Sequence, residues 1–227
     1  MSSESGPNLV TNGLVLCLDA ANPLSYKSGA TIWNDLTYNT SGGTLTNGPT
    51  FSSTNGGSIV FDGVNDWVTL PTTSIVAFGT GSFTTNVWYS LSSTSAPLPY
   101  SCIWDMGGSN TAFGGVYANR FSNNTLLYFA NGVRLQPSVT QATNTWYYVT
   151  LVCSGGTTVA IYLNGNLLQS NSYNYNFTSQ NWMIGTNQSA YVEVMNGKIP
   201  IFSVYNRALS ISEIQQNYNS TKSRFGL

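Results

Sequence analysis

The stretch from Trp146 to Gln169 reads WYYVTLVCSGGTTVAIYLNGNLLQ, three short apolar runs cut by Gly155-Gly156 and by Asn164-Gly165. In the middle run Val159, Ile161 and Leu163 alternate with Thr158, Ala160, Tyr162 and Asn164, so one face is apolar and the other meets water or a second layer. Asn-Gly supplies the positive φ of a two-residue hairpin, so the chain is expected to turn straight back through Leu167 and Leu168. The spacing predicts an antiparallel meander.

Outward from this stretch the same pattern recurs. Phe83, Thr85, Val87, Tyr89 and Leu91 share one face of a run whose other face carries Thr84, Asn86, Trp88 and Ser90. Further strand-like runs lie at 14–18, 31–33, 58–61, 67–70, 102–106, 113–117, 126–129, 182–185 and 199–205, with turn residues between them. One helix is predicted, where Ser210-Ile211-Ser212-Glu213 fits a capping box and Ile214 and Tyr218 follow one turn apart. Short strands at regular intervals with one C-terminal helix predict an all-β sandwich of two antiparallel sheets. The division expected is an arm over residues 1–12, one domain over 13–219 and a tail over 220–227.

Composition removes several function classes. Of the 227 residues 7% are charged, against about a quarter in an average soluble domain. Seven basic residues stand against eight acidic ones, and no basic residue lies between Lys27 and Arg120. Nucleic acid is therefore not an expected partner, because affinity for phosphates comes from clustered Lys and Arg. Histidine is absent, which excludes Ser-His-Asp and Cys-His nucleophile systems and His-ligated metal sites. Cys17, Cys102 and Cys153 are odd in number, widely spaced and set in apolar runs, so they read as small buried hydrophobes. The opening MSSESGPNLVTNG lacks a basic segment followed by a long apolar one, and Leu14-Val15-Leu16-Cys17-Leu18 is too short to span a bilayer. No membrane partner is expected, and folding is expected in a cytoplasm.

Four blocks carry a family resemblance. They are Ser58 to Val68 (SIVFDGVNDWV), Gly81 to Trp88 (GSFTTNVW), the Trp146 to Gly165 meander, and Ile184-Gly185 through Gly197-Lys198-Ile199 to Tyr205-Asn206-Arg207-Ala208-Leu209-Ser210-Ile211-Ser212-Glu213-Ile214. In this order they resemble the laminin-G-like branch of the concanavalin A-like lectin and glucanase superfamily, which implies a jelly-roll sandwich. The opening Gly13 to Pro23 (GLVLCLDAANP) and the closing Ser223 to Leu227 (SRFGL) resemble a subgroup found among tailed-bacteriophage virion proteins. That resemblance implies a non-enzymatic virion component assembled in the host cytoplasm, a capsid decoration or cement protein or a tail adhesin. Its partners would be other virion proteins or further copies of itself, with cell-surface glycan as a weak ligand. A free carbohydrate-binding lectin is the alternative, and a glycoside hydrolase a third reading. The chain departs from the family at Pro200, which donates no ladder hydrogen bond and marks an edge strand or a bulge.

Three kinds of site are weighed on this basis. Retaining glycoside hydrolysis needs two carboxylates about 5 Å apart, which in this fold resemble an E-x-D-x-E strand; no such triplet is present. Asp62 and Asp66 are the nearest acidic pair, in a Gly-containing turn whose side chains commonly bond their own backbone. Asp62, Asn65 and Asp66 also offer oxygen ligands to calcium, the one cofactor considered, with turn chemistry as the competing role. Asp105, ahead of Met106-Gly107-Gly108, is a weaker counterpart. For glycan contact, Tyr173, Asn174, Tyr175 and Asn176 form an alternating patch, and Asn187 with Tyr191 a second; a polar loop with packing aromatics is the competing reading. The six tryptophans lie mostly in strand runs and are read as core.

Overall fold

The computed structural model describes residues 8–71, 77–93, 101–106, 114–120, 125–130, 133–177, 182–187 and 193–227. In chain order the strands are β1 (Leu14–Asp19), β2 (Ile32–Trp33), β3 (Gly43–Thr46), β4 (Thr50–Ser52), β5 (Ser58–Asp62), β6 (Trp67–Thr69), β7 (Phe83–Leu91), β8 (Ser101–Asp105), β9 (Gly114–Arg120), β10 (Thr125–Ala130), β11 (Val133–Leu135), β12 (Tyr147–Ser154), β13 (Thr158–Leu163), β14 (Asn166–Ser172), β15 (Met183–Ile184) and β16 (Asn196–Tyr205). Helix α1 (Ile211–Thr221) follows and passes into a single 3₁₀ turn at Lys222–Phe225. Among the described residues no helix is long and apolar enough to cross a membrane.

The strands form two antiparallel sheets. The first runs β14-β13-β12-β7-β16-β5-β4, with β1 also on β16; the second runs β11-β10-β9-β8-β15-β6-β3-β2. The meander is present as predicted, β12, β13 and β14 in succession, with Asn164 (φ 50°) and Gly165 (φ 80°) between the paired Leu163 and Asn166. Both turn residues have positive φ, as a type I′ hairpin requires. Val159 and Ile161 point into the main core, while Tyr162 packs on the opposite face.

Pro200 sits at a bulge in a central strand rather than at an edge. β16 pairs with β5 over residues 196–199 and with β1 over 201–205, and its register against β7 slips between Lys198 and Ile201. Proline therefore falls where one neighbour gives way to the next, and its carbonyl accepts from the Ala20 amide at 2.9 Å. The missing N–H costs no ladder bond there.

Between the sheets lies one large apolar cluster that includes Val87, Tyr89, Ile103, Leu151 and Phe202. Trp104 and Trp182 stack within it at 5.3 Å and 8°. Trp33, Trp88, Trp104 and Trp182 are buried, and Trp67 and Trp146 are half-buried. The three cysteines are buried, and burial, aided by Asp19 and Asp35, pushes the Cys17 thiol up to about 12. These are inert packing groups.

All nine residues of β7 are buried, including the face that alternation alone would leave to water. Around Trp88 that outer face is covered by α1 and the C-terminal turn. Trp88 lies 4.2 Å from Phe225 and stacks on Tyr218 at 5.7 Å, and its indole N–H donates to Thr221 Oγ1 at 2.9 Å. Full burial of a ring such as Phe225 contributes about 1.5–3 kcal/mol. Beside it, Asn86 accepts from Thr150 Oγ1 (2.6 Å) and donates to Ser203 Oγ, a polar rung across β12, β7 and β16.

Residues 8–12 and 220–227, expected as arm and tail, pack on this same sheet. Asn217, fully buried in α1, accepts from the Val10 amide at 2.8 Å and donates to Tyr205 Oη, which itself donates to the Val10 carbonyl at 2.7 Å. Arg224 reaches Asp19 (2.7 Å) and the carbonyls of Asn55 and Gly57. The reason is that the apolar outer face of the first sheet needs a cover and both ends carry the residues to supply it.

The capping box forms as predicted. Ser210 Oγ accepts from the Glu213 amide, and Glu213 accepts from the Ser210 amide at 2.9 Å. The same carboxylate pairs with Arg207 through two bonds of 2.9 and 2.6 Å. Strands β3, β4 and β11 were not anticipated: Gly-Thr-Leu-Thr, Thr-Phe-Ser and Val-Arg-Leu are too short for alternation to register.

Two outcomes follow for stability. Replacing Asn217 by Leu strands the Val10 amide and one bond of Tyr205 in the interior, so urea unfolding is expected to show a loss of about 3 kcal/mol. The Arg207 guanidinium first, then the Ser210 amide, lowers Glu213 from 4.5 to about 2. A carboxyl held below its ordinary value contributes stability that is complete above that value and disappears as pH falls through the folded one. Thermal melts are therefore expected to drop between pH 4.5 and pH 2, and the drop should shrink in Glu213→Gln.

Candidate functional site

The predicted glycan patch is split by its own alternation. Tyr175 is buried, stacks on Phe177 at 5.1 Å and meets Phe83 edge-on, and its hydroxyl donates to the Gly81 carbonyl. Tyr173 is half-buried against the main core, and Asn174 and Asn176 are exposed. The segment thus turns its tyrosines inward and its amides outward, and Tyr175 offers no open ring face to a sugar. Tyr191 lies outside the described residues.

The acidic turn after β5 is occupied by its own backbone. Asp62 Oδ1 accepts from the Val64 and Asn65 amides at 2.7 and 3.4 Å, and Asp66 Oδ2 accepts from the Asp62 amide at 3.0 Å. Asn65 is exposed, and its carbonyl accepts from Asn47. Asp66 is 3% exposed, and burial raises its carboxyl above the usual range. Among the described residues no three Cys, Asp or Glu side chains are grouped to hold a metal.

Tertiary structure assembles a different group on the outer face of the second sheet. Cys102 and Asp105 of β8 face outward opposite Tyr117 and Gly115 of β9. Asp105 Oδ2 accepts from Tyr117 Oη at 2.7 Å, and both residues are buried. Gly115 makes this geometry available, because a Cβ there would lie 2.8 Å from Asp105 Oδ2 and 2.9 Å from the Trp104 carbonyl. Next to it Asn187, 7% exposed, donates through Nδ2 to Glu193 Oε2 at 2.8 Å. Burial above all, then Cys102, Asp105 and Glu193, push the Tyr117 phenol well above its ordinary range. It stays protonated and acts as a fixed donor to Asp105 rather than as an acid or base.

Of these residues Asp105 and Asn187 were singled out in the sequence, each for a different reason. Tyr117 was not, because nothing local joins it to an aspartate twelve positions earlier. Glu193 follows Asn187 by six positions in a stretch without periodicity. Cys102 and Glu193 are tied by a main-chain bond, Cys102 N–H to the Glu193 carbonyl at 3.2 Å.

A family model described as the concanavalin A-like lectin/glucanases superfamily matches residues 62–215. The chain belongs to this superfamily. The match runs from the last residue of β5 into the start of α1, which includes the meander and the capping box. Among solved structures, the concanavalin A-like sandwich is similar to domain 4 of an extracellular family 43 arabinanase from Geobacillus stearothermophilus, determined in complex with arabinotriose (TM-score 0.72, 14% identity, covering 90% of this chain and 98% of that one). It is also similar to the binding domain of Paraclostridial Mosquitocidal Protein 1 (TM-score 0.71, 16% identity, 92% of this chain and 52% of that one). A third is a Trypanosoma rangeli sialidase in complex with sialic acid (TM-score 0.73, 16% identity, 95% of this chain and 34% of that one). The chain spans about half the length of the second and a third of the last. No curated protein matches it in sequence.

The Asp105 and Tyr117 pair provides a direct test of this site's role. Tyr117→Phe removes the phenol donor from a buried carboxylate, and a loss of about 1–3 kcal/mol is expected in urea unfolding.

Proposed function

We propose that this chain is a non-catalytic binding domain for a neutral glycan, carried as a structural or adhesive component of a tailed-bacteriophage particle. The observation that carries the non-catalytic part is the state of its carboxylates. Of the eight acidic residues, Glu4 lies outside the described residues, and each of the other seven has a structural partner. Asp19 holds Arg224, Glu213 holds Arg207, Asp35 accepts from the Cys17 and Thr37 amides, and Asp62 and Asp66 close their turn. Asp105 accepts from Tyr117 and Glu193 from Asn187. A glycosidase needs two carboxylates free to face one sugar bond, one of them as nucleophile or base.

The glycan part draws on the superfamily and on the arabinotriose complex of the arabinanase domain, which this fold covers almost whole. A chain poor in charge and rich in Ser, Thr and Asn matches a neutral polyhydroxylated ligand and offers little to a polyanion. The particle part rests on the likeness of Gly13 to Pro23 and Ser223 to Leu227 to virion proteins. Many copies on one particle would turn weak binding at each into strong attachment.

A neutral-glycan array probed with the purified chain, once with calcium and once with a chelator, tests the binding. Retention of neutral oligosaccharides in both conditions is expected, with no release of reducing ends on incubation. Hydrolysis that disappears in Asp105→Asn or Glu193→Gln would overturn the reading. Mass spectrometry of purified particles is expected to find the chain in fixed stoichiometry to the shell or tail protein.

A further inference from the structure

On one side of the sandwich both sheets end in short strands, β4 in the first sheet and β3 with β2 in the second. The chain crosses between the sheets here through Asn47-Gly48-Pro49, and residues 26–31 run alongside. Between them lies a groove of about 450 Å³, within the size range of small-molecule sites.

Its walls are already set. Phe51, half-buried on β4, leans on the buried Tyr26 with ring centres 5.5 Å apart and planes at 35°. Tyr26 Oη donates to the Ala30 carbonyl at 3.1 Å, and the Ala30 amide donates to the Lys27 carbonyl at 2.9 Å, which closes the loop on itself. The Leu45 amide donates to the Thr31 carbonyl at 2.8 Å and ties that loop to β3. A ligand entering here therefore orders little of the protein.

The lining combines an aromatic wall with hydroxyls. Ser28, Thr31 and Thr50 are exposed on the groove, and none of the lining residues is charged. Gly29 (φ +85°) and Gly48 (φ +100°) also border it, and a Cβ on either would meet no atom within 4 Å, so main-chain groups stand open at the rim. A charged ligand would find no counter-ion among the lining side chains, and an aliphatic one would strip water from hydroxyls without replacing their bonds. A neutral sugar has a C–H face for Phe51 and hydroxyls for Ser28, Thr31 and Thr50. We infer that this groove is a binding subsite for a neutral oligosaccharide, an inference that rests on the glycan-binding reading above and assigns that reading a place.

Isothermal titration of the full chain with arabinotriose and a panel of other neutral oligosaccharides tests it. Ser28→Trp places a bulky ring at the exposed mouth and is expected to abolish binding. The double variant Ser28→Ala with Thr31→Ala removes two hydroxyls at exposed positions and is expected to weaken binding about tenfold. Both variants should keep the wild-type melting temperature. Wild-type binding that neither variant alters overturns the groove and leaves the glycan reading standing. A wild type that binds no neutral sugar removes both, and binding confined to uronic-acid oligosaccharides overturns the neutral class.

Discussion

A strand buried on both faces needs two layers of cover, and β7 is that strand. Val87, Tyr89 and Leu91 face the core between the sheets, while Trp88 on the opposite face lies under Phe225 and Tyr218. Leaving such a ring in water would forgo about 1.5–3 kcal/mol, so α1 and the C-terminal turn are drawn onto the first sheet. Asn217 then fastens residues 8–12 to α1, and Arg224 fastens the last turn to Asp19 and the residues before β5. The placement of α1 and the C-terminal turn follows from the burial of Trp88.

That placement directs function to the rest of the surface. The outer face of the first sheet is taken by α1 and the residues that pack beside it, and the described carboxylates are held by amides, guanidinium groups, a side-chain amide and a phenol. What the fold leaves open are sheet edges and crossover turns, where hydroxyls and glycine main chain stand beside a half-buried ring.

Much of this architecture was legible from short-range pattern. The period-two runs of β7 and β13, the Asn164-Gly165 turn and the Ser210 capping box each depend on residues within a few positions of one another, so reading them needed no knowledge of distant packing. Pro200 was legible as a disturbance, but whether it marked an edge or a bulge depended on where β5 ends and β1 begins. Tyr173 to Asn176 shows the limit of alternation: the period was there, yet which parity faces water is set by the layer beneath, and the tyrosines went inward. β3 and β4 were too short and too polar to register, and they form the walls of the groove.

The amino-acid sequence by itself determined the class of the fold, the meander, the helix start and the absence of histidine chemistry, because these rest on local geometry and on residue types present or missing. Only the tertiary structure decided that Asp105 meets Tyr117, that Asn187 meets Glu193, and that residues 26–31 face the β3 to β4 crossover. Those encounters depend on sheet order and register, which join residues that no local spacing relates. A hydrogen bond or a groove exists only once two strands have been placed a few ångströms apart.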